Sequence, residues 1–147
     1  MNQVFFEDAV RPSIVNILLF EQAIPAIKQG LKPNSISTDL HTGSMNGGMK
    51  DMINVMSKML NIGLSINEVI ACSTWNPAQE INKKELGNLS VGAPADVAVI
   101  SLDKGTFGYV DVGGFKMTGD KKLVCQLTVR DGDIVWDLNG LSAPVFK

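Results

Sequence analysis

Residues Ser35–His41, SISTDLH, form a short β-prone run that ends in an acidic residue and the chain's single histidine. An amphipathic helix is predicted ahead of this run, and a polar loop, Thr42–Gly48, separates it from a second predicted helix. The order helix, strand, polar loop, helix is typical of an α/β barrel, in which functional groups lie at the C-terminal ends of strands and on the loops that follow. Asp39 occupies that position.

The same stretch, taken with two short segments after it, resembles a known family. Ser37–His41 (STDLH), followed by Ser44–Asn46 (SMN) and Met49–Met52 (MKDM), is similar to the last barrel strand of the amidohydrolase/deacetylase group. That group is part of the dihydroorotase-like branch of the metal-dependent amidohydrolase superfamily. The resemblance extends from about Phe20 to Gly140 and is specific as a combination, whereas each piece alone is weak.

The length of the chain limits what this resemblance can mean. A whole (β/α)₈ barrel typically needs about 250 residues, and this chain has 147. We therefore expect the C-terminal fragment of a TIM-barrel amidohydrolase. Residues 1–86 would supply the last strand and helices of the barrel domain, and residues 87–147 part of a small β-sandwich subdomain. Residues Met1–Ile17 match no periodic template, and the Gly-His-Gly-like segment that the family has there is missing.

Hydrophobic spacing and capping residues predict four helices. Their ranges are Leu19–Gln29, Met49–Asn61, Ser65–Ser73 and Pro77–Lys83. Ser65 and Glu68 form a capping-box pattern, and Asn76-Pro77 is typical of an N-cap followed by the first helical position. The methionine-rich stripe of the second helix could bind a soft metal, but adaptable core packing is the commoner use of such a stripe. We interpret it as core.

From Asp96 onward the period changes to two, which predicts strands. Their ranges are Val97–Ile100, Phe107–Val110, Lys122–Arg130 and Asp133–Asp137, with a primed turn at Asp131-Gly132 and further turns at Gly113-Gly114 and Gly119-Asp120. Three aspartates near the C-terminus could be taken for calcium ligands, but they lack the loop length and closing glutamate of a calcium-binding hand. The segments Thr74–Ala78, Gly87–Gly92 and Ala95-Asp96 are similar to the family's barrel-to-sandwich junction, and we interpret them as structural.

The resemblance implies roles for four residues. An aspartate at the end of the last strand is both a metal ligand and the catalytic group that moves a proton, and Asp39 matches that position. His41, Ser44 and Asn46 would contact a small acylated substrate. The structural alternatives remain open: Asp39 could be a capping aspartate, and His41 an ordinary hydrogen-bonded surface histidine.

This sequence contains too few residues of the kinds that bind a catalytic zinc. A catalytic zinc site needs about three protein ligands, mostly histidines, and the chain has one histidine. Cys72 and Cys125 lie in different predicted elements and cannot replace the family's His-x-His pair, bridging lysine and later histidines. The resemblance implies a divalent metal, zinc, in the parent family, and we expect no stoichiometric metal in this chain alone.

Composition narrows the class of protein. The net charge is −2 with 19% charged residues and no basic cluster, which argues against a nucleic-acid partner or a membrane anchor. No apolar run approaches the ~20 residues of a membrane span, and the two cysteines are expected to be reduced rather than paired. These features predict a cytoplasmic protein.

Three functions are consistent with these observations. The first is the C-terminal portion of an amidohydrolase/deacetylase that hydrolyses an amide or ester bond of a small acylated substrate and is inactive alone. The second is a non-catalytic module that self-associates as a homo-oligomer through the Met49–Leu60 stripe and the Leu123–Val129 strand. The third is one half of a split amidohydrolase.

Overall fold

The computed structural model describes residues 19–44 and 48–146, in which four helices precede three strands. Residues 1–17, where the family's Gly-His-Gly-like segment is missing, lie outside the described part. The elements are α1 (Phe20–Lys28), α2 (Met52–Ile62), α3 (Ile66–Ser73), α4 (Trp75–Glu80), β1 (Val97–Val110), β2 (Lys116–Arg130) and β3 (Asp133–Asp137). The predicted ranges of α1 and α3 are confirmed to within one residue at each end.

Helix α2 is the centre of the core and begins later than its hydrophobic pattern predicts. The Asp51 carboxylate accepts a hydrogen bond from the Asn54 N–H at 2.7 Å and caps the helix, so Met49 lies ahead of the helix although it is buried. Gly63, at φ 125°, follows the last turn. The interpretation of the methionine stripe as core is confirmed, because α2 packs against β2 and Met56 and Met59 are almost fully buried.

This packing corrects part of the surface predicted for self-association. The stripe from Met49 to Leu60 and the side chain of Leu123 pack in one cluster within the chain, so they are not free to contact another copy, whereas residues 124–129 are half-buried and stay a predicted contact. Self-association itself stays a prediction. The large apolar side chains that remain exposed lie elsewhere, including Ile134, Val135 and Trp136 on β3.

Helices α3 and α4 show one correct and one wrong capping prediction. The capping box is confirmed, since the Ser65 hydroxyl accepts from the Glu68 N–H and the Glu68 carboxylate accepts from the Ser65 N–H. In α4 the residue at the N-cap position is Thr74, and the helix ends at Glu80 rather than Lys83. Asn76 does not cap because it is the second residue of the helix, which begins at Trp75. Its amide donates instead to the Asn34 carbonyl at 2.8 Å, a tertiary contact.

The three strands form one antiparallel sheet in the order β1-β2-β3. The two strands predicted between residues 97 and 110 are one continuous strand. The predicted turn at Gly119-Asp120 is wrong, since both residues lie inside β2. Gly119 lies under α2: an added Cβ would be 2.4 Å from the Asn61 side chain, whose Oδ1 accepts from the Asp120 N–H at 2.9 Å. Glycine here permits the close approach of a helix.

The other predicted turns are confirmed. Asp131 and Gly132 have φ of 50° and 89°, the left-handed values that a primed hairpin turn requires, and Arg130 pairs with Asp133 across it. Gly114, at φ 83°, closes the turn between β1 and β2. One three-stranded sheet is the extent of strand pairing in residues 19–44 and 48–146, so the sandwich remains a prediction, as does the domain boundary at residues 86 and 87.

The two cysteines are free thiols, Cys72 buried and Cys125 half-buried. Burial raises the pKa of the Cys72 thiol, which makes it less reactive than an exposed cysteine. Over residues 19–44 and 48–146, none of the helices has the length and apolar character that crossing a bilayer would require.

Candidate functional site

The stretch predicted as a strand, Ser35–Asp39, is irregular apart from one bridge and leads into a hydrogen-bonded turn at residues 41–44. Only Ile36 makes a bridge, and its N–H donates to the Cys72 carbonyl at 2.9 Å. The Ser37 hydroxyl accepts from the Asp39 N–H at 3.4 Å, and the Thr38 hydroxyl accepts from the Leu40 N–H at 3.2 Å. Serine and threonine thus satisfy backbone groups that a strand would have paired with neighbours. Within the described residues, the strand prediction holds only at Ile36, where the single bridge lies.

Three of the four predicted site residues meet in this turn. Asp39 has φ 44°, a left-handed conformation that aspartate tolerates better than most residues. The Ser44 hydroxyl donates to the Asp39 carbonyl at 2.8 Å and accepts from the His41 backbone N–H at 3.0 Å. The His41 carbonyl accepts from the Ser44 N–H at 3.0 Å. These bonds hold Asp39 and His41 in one rigid loop. Asn46 lies outside the described residues.

The functional groups of this turn face solvent. Asp39 and His41 are both exposed. Within residues 19–44 and 48–146, no group donates a hydrogen bond to the Asp39 carboxylate. The backbone of Asp39 is fixed, because its carbonyl accepts from the Ser44 hydroxyl and its N–H donates to the Ser37 hydroxyl. An exposed carboxylate on a fixed backbone is available for proton transfer or for a ligand. Among residues 19–44 and 48–146 it caps no helix or turn, and the capping alternative for Asp39 otherwise stays open.

A buried polar anchor that the sequence analysis missed holds the far end of the same loop. The Lys58 ammonium donates to the Gly48 carbonyl, and Lys58 is 1% exposed. Burial lowers its pKa to about 8, and the nearby Asp111 carboxylate opposes that shift. Lys58 lies three residues after Val55 and four before Ile62, both buried. Its place on that apolar face is the signal that could have identified it.

Asp111 links this anchor to the sheet and to the first helix. It is 2% exposed, and its carboxylate accepts from the Phe20 N–H at 3.1 Å and from the Phe115 N–H at 2.9 Å. One carboxylate therefore joins the start of α1 to the turn between β1 and β2. The contact to Phe20 spans 91 residues of sequence, so no local pattern indicates it.

Gly48 is predicted to tolerate no side chain. An added Cβ would lie 2.3 Å from the Val110 carbonyl oxygen and 2.6 Å from the Asp111 carbonyl carbon, which are backbone atoms that cannot rotate away. Gly48→Ala should lower the free energy of unfolding by about 1–3 kcal/mol, the usual cost of overpacking. Urea unfolding followed by tryptophan fluorescence measures this change, and a loss below about 0.5 kcal/mol, within the range of ordinary surface changes, would contradict the contact.

The described residues do not complete a metal site. In residues 19–44 and 48–146, no group of three histidine, cysteine, aspartate or glutamate side chains is arranged to hold a metal ion. Asp39 and His41 are the two ligand-type side chains of the turn, and a catalytic zinc needs about three. Alone, the described part of this chain therefore does not fit the metal that the sequence resemblance implies.

A family model matches most of the chain. The description of that model is "Amidohydrolase family", and the match covers residues 20–135, which include the turn, Lys58 and all but the last residues of the sheet. The chain belongs to the amidohydrolase family. The resemblance noted from Asp39, His41 and the segments after them is thereby confirmed at the level of the family.

Similar amidohydrolase-family proteins are much longer than this chain. A "Deacetylase" of Brucella anthropi is 43% identical over 83 residues, which are 56% of this chain and 21% of that protein. "Deacetylase Atu3266" of Agrobacterium fabrum is 42% identical over 83 residues, 56% of this chain and 20% of that protein. The chain thus spans about a fifth of the length of these two relatives.

Solved structures agree on the fold of the family. An adenine deaminase superposes with a TM-score of 0.77 at 26% identity, over 82% of this chain and 33% of that one. A dihydroorotase superposes with a TM-score of 0.74 at 32% identity, over 80% of this chain and 32% of that one. Both are TIM-barrel amidohydrolases, and this chain covers part of each.

Proposed function

We propose that this chain is the C-terminal portion of a metal-dependent amidohydrolase/deacetylase that hydrolyses an amide or ester bond of a small acylated substrate. The observation that carries the proposal is the turn at Asp39, which presents an exposed carboxylate that accepts no hydrogen bond from residues 19–44 and 48–146, in a chain that belongs to the amidohydrolase family. The two relatives described above are named deacetylases, which favours an acylated substrate. The chain alone is inactive, because its ligand set is incomplete.

Asp39 is the catalytic residue of this proposal. Hydrolysis adds the oxygen of water to the acyl carbon, breaks the bond from that carbon to nitrogen or oxygen, and transfers a proton from water to the leaving group. The Asp39 carboxylate accepts the proton of the attacking water and returns it to the leaving amine or alcohol. In a complete site Asp39 would also be a metal ligand, and the metal would supply polarisation of the carbonyl.

The proposal gives His41, Ser44 and Asn46 different roles. His41 is exposed beside Asp39 and is available to substrate. The Ser44 hydroxyl is engaged inside the turn, so we propose that its first role is to position Asp39 and His41. Contact of Ser44 and Asn46 with substrate stays a prediction.

A split enzyme is the second candidate, and a specific observation favours it. The described residues hold a fixed carboxylate but no group of three metal ligands, and the chain spans about a fifth of the named deacetylases. The remaining ligands would then come from another polypeptide. A non-catalytic homo-oligomer is the third candidate, and the exposed apolar side chains of β3 favour it.

The test joins metal analysis with a chimera. The isolated chain should bind no stoichiometric zinc by elemental analysis and should hydrolyse no acylated amine or ester. A chimera in which this chain replaces the matching segment of the Brucella anthropi deacetylase should bind metal and regain hydrolysis. About one tightly held zinc per isolated chain, with acylase activity, would show that the chain is a complete enzyme. A folded chimera that binds metal and stays inactive would reject the catalytic proposal.

A further inference from the structure

We infer that the turn locks neutral His41 in the tautomer protonated at Nδ1 and presents the unprotonated Nε2 as an acceptor for an N–H or O–H group of the substrate. The substrate half of this inference rests on the proposed function, whereas the tautomer rests on hydrogen bonds within the chain. His41 would then recognise substrate with Nδ1 always the donor and Nε2 always the acceptor.

The first argument is the contact of Nδ1 with a carbonyl. His41 Nδ1 lies 2.9 Å from the Asp39 carbonyl oxygen, and a carbonyl oxygen can only accept. The hydrogen must therefore be on Nδ1. If it were on Nε2, two lone pairs would face each other at hydrogen-bonding distance.

The second argument is the hydrogen balance of Ser44. Its hydroxyl oxygen lies 2.9 Å from His41 Nδ1 and accepts from the His41 backbone N–H at 3.0 Å. The single hydroxyl hydrogen has two carbonyl acceptors, that of Asp39 at 2.8 Å and that of His41 at 3.3 Å. With its hydrogen on either carbonyl, the hydroxyl oxygen accepts from Nδ1–H. A hydrogen bond at one ring nitrogen fixes which nitrogen remains free.

The third argument is the glycine beneath the ring. An added Cβ at Gly43 would lie 3.3 Å from Nε2 and 3.8 Å from Cδ2. Gly43 is not among the residues with positive φ, so its backbone does not demand glycine. The absence of a side chain at this position keeps the Nε2 edge of the ring open to a ligand.

The charge of the turn sets the class of ligand. Its exposed groups include the Asp39 carboxylate, which is an acceptor when ionised, and the Nε2 of neutral His41, which is also an acceptor. Both select a substrate portion that carries donors, such as an amide N–H, a hydroxyl or an ammonium. Both disfavour a carboxylate or phosphate at the same place, because acceptors would then face acceptors.

The tautomer can be measured on the intact chain, since His41 is the chain's one histidine. Two-bond ¹H–¹⁵N correlation spectra of the folded, neutral imidazole should show a protonated Nδ1 and an unprotonated Nε2. The same chain in urea should show mainly the Nε2-protonated form that free histidine prefers. Predominance of that form in the folded chain would overturn the inference and leave the proposed function standing.

The accessibility of His41 Nε2 can be measured separately, by its rate of chemical modification. Diethyl pyrocarbonate acylates an unprotonated imidazole nitrogen, and Gly43→Ala should slow modification of His41 by at least about threefold, which corresponds to a small increase in barrier. The matched variant Thr42→Ala, on the same turn, should react at the wild-type rate. Equal rates for Gly43→Ala and wild type would overturn the role of Gly43.

The ligand class is tested in the chimera. Acylated amines whose donor group is methylated should show a raised KM relative to the unmethylated compounds. In His41→Ala that preference should disappear while the unmethylated compounds bind more weakly. A preference that survives His41→Ala would overturn the assignment of substrate contact to His41, even with the tautomer confirmed and the chimera active.

Discussion

Asp39→Asn is expected to lower the kcat of the chimeric enzyme by about 10²- to 10⁴-fold, the range that positioned proton transfer contributes. Asparagine is a more specific replacement than alanine, because asparagine tolerates the left-handed φ of 44° at this position. The turn should therefore keep its hydrogen bonds through the Asp39 backbone carbonyl. The substitution removes the proton acceptor and leaves the shape of the turn intact.

The control for Asp39→Asn is the same substitution at an exposed aspartate outside the turn. Asp120→Asn removes an exposed aspartate of β2 that pairs with Lys121, and its kcat should equal that of the unchanged chimera. Steady-state kinetics and thermal unfolding are measured for both variants. A loss smaller than about tenfold in Asp39→Asn, with unchanged stability, would remove Asp39 from the chemistry.

The sequence predicts helices well where their signals are local. Ser65 and Glu68 cap α3 through atoms three residues apart, and Gly63 ends α2 through its own backbone conformation. The hairpin at Asp131-Gly132 is equally local, because the left-handed φ values of two adjacent residues define it. Each of these features depends on a few neighbouring residues, so reading the chain in order is sufficient.

Prediction fails where a distant part of the chain decides the local structure. Gly119 serves the approach of Asn61 rather than a turn, and the Asn76 amide binds Asn34 rather than its own helix start. A strand at residues 35–39 needs neighbouring strands, and the described residues supply only the bridge at Ile36. Propensity is a weak prior when tertiary contacts compete with it.

The candidate site divides in the same way. Asp39, His41 and Ser44 are close in sequence, and the structure brings them together in one turn. Their support comes from residues 58 and 111, which reach the loop through folding. Sequence spacing identifies the three candidate groups, whereas the buried charges of Lys58 and Asp111 near the same loop depend on the packed structure.

Lys58→Met should reveal the cost of burying this lysine as a change in the pH dependence of stability. The pKa of Lys58 is lowered from 10.5 to about 8, chiefly by burial, with opposing attraction from Asp111 and Asp51 and further lowering by Lys50. Between pH 8 and 10.5 the unfolded chain binds a proton that the folded chain has released, so the free energy of unfolding rises with pH. A shift of this size corresponds to about 3 kcal/mol over that window.

The difference between wild type and Lys58→Met isolates this effect. Buried Cys72 and Tyr109 have raised pKa values and act in the opposite direction at high pH, but they are common to both proteins and cancel. Near pH 7.5 the variant loses the buried charge and also leaves the Gly48 carbonyl without its donor, a cost of about 1–3 kcal/mol. Its stability should therefore lie close to that of wild type.

Near pH 10.5 wild type should be more stable than Lys58→Met by about 3 kcal/mol more than it is at pH 7.5. Urea unfolding at steps between these two pH values, followed by the fluorescence of Trp75 and Trp136, measures the difference. Lys104→Met removes an exposed lysine of β1 and tests whether the loss of any positive charge produces the same result. Parallel stability curves for wild type and Lys58→Met would show that folding does not lower the pKa of Lys58, which contradicts the prediction.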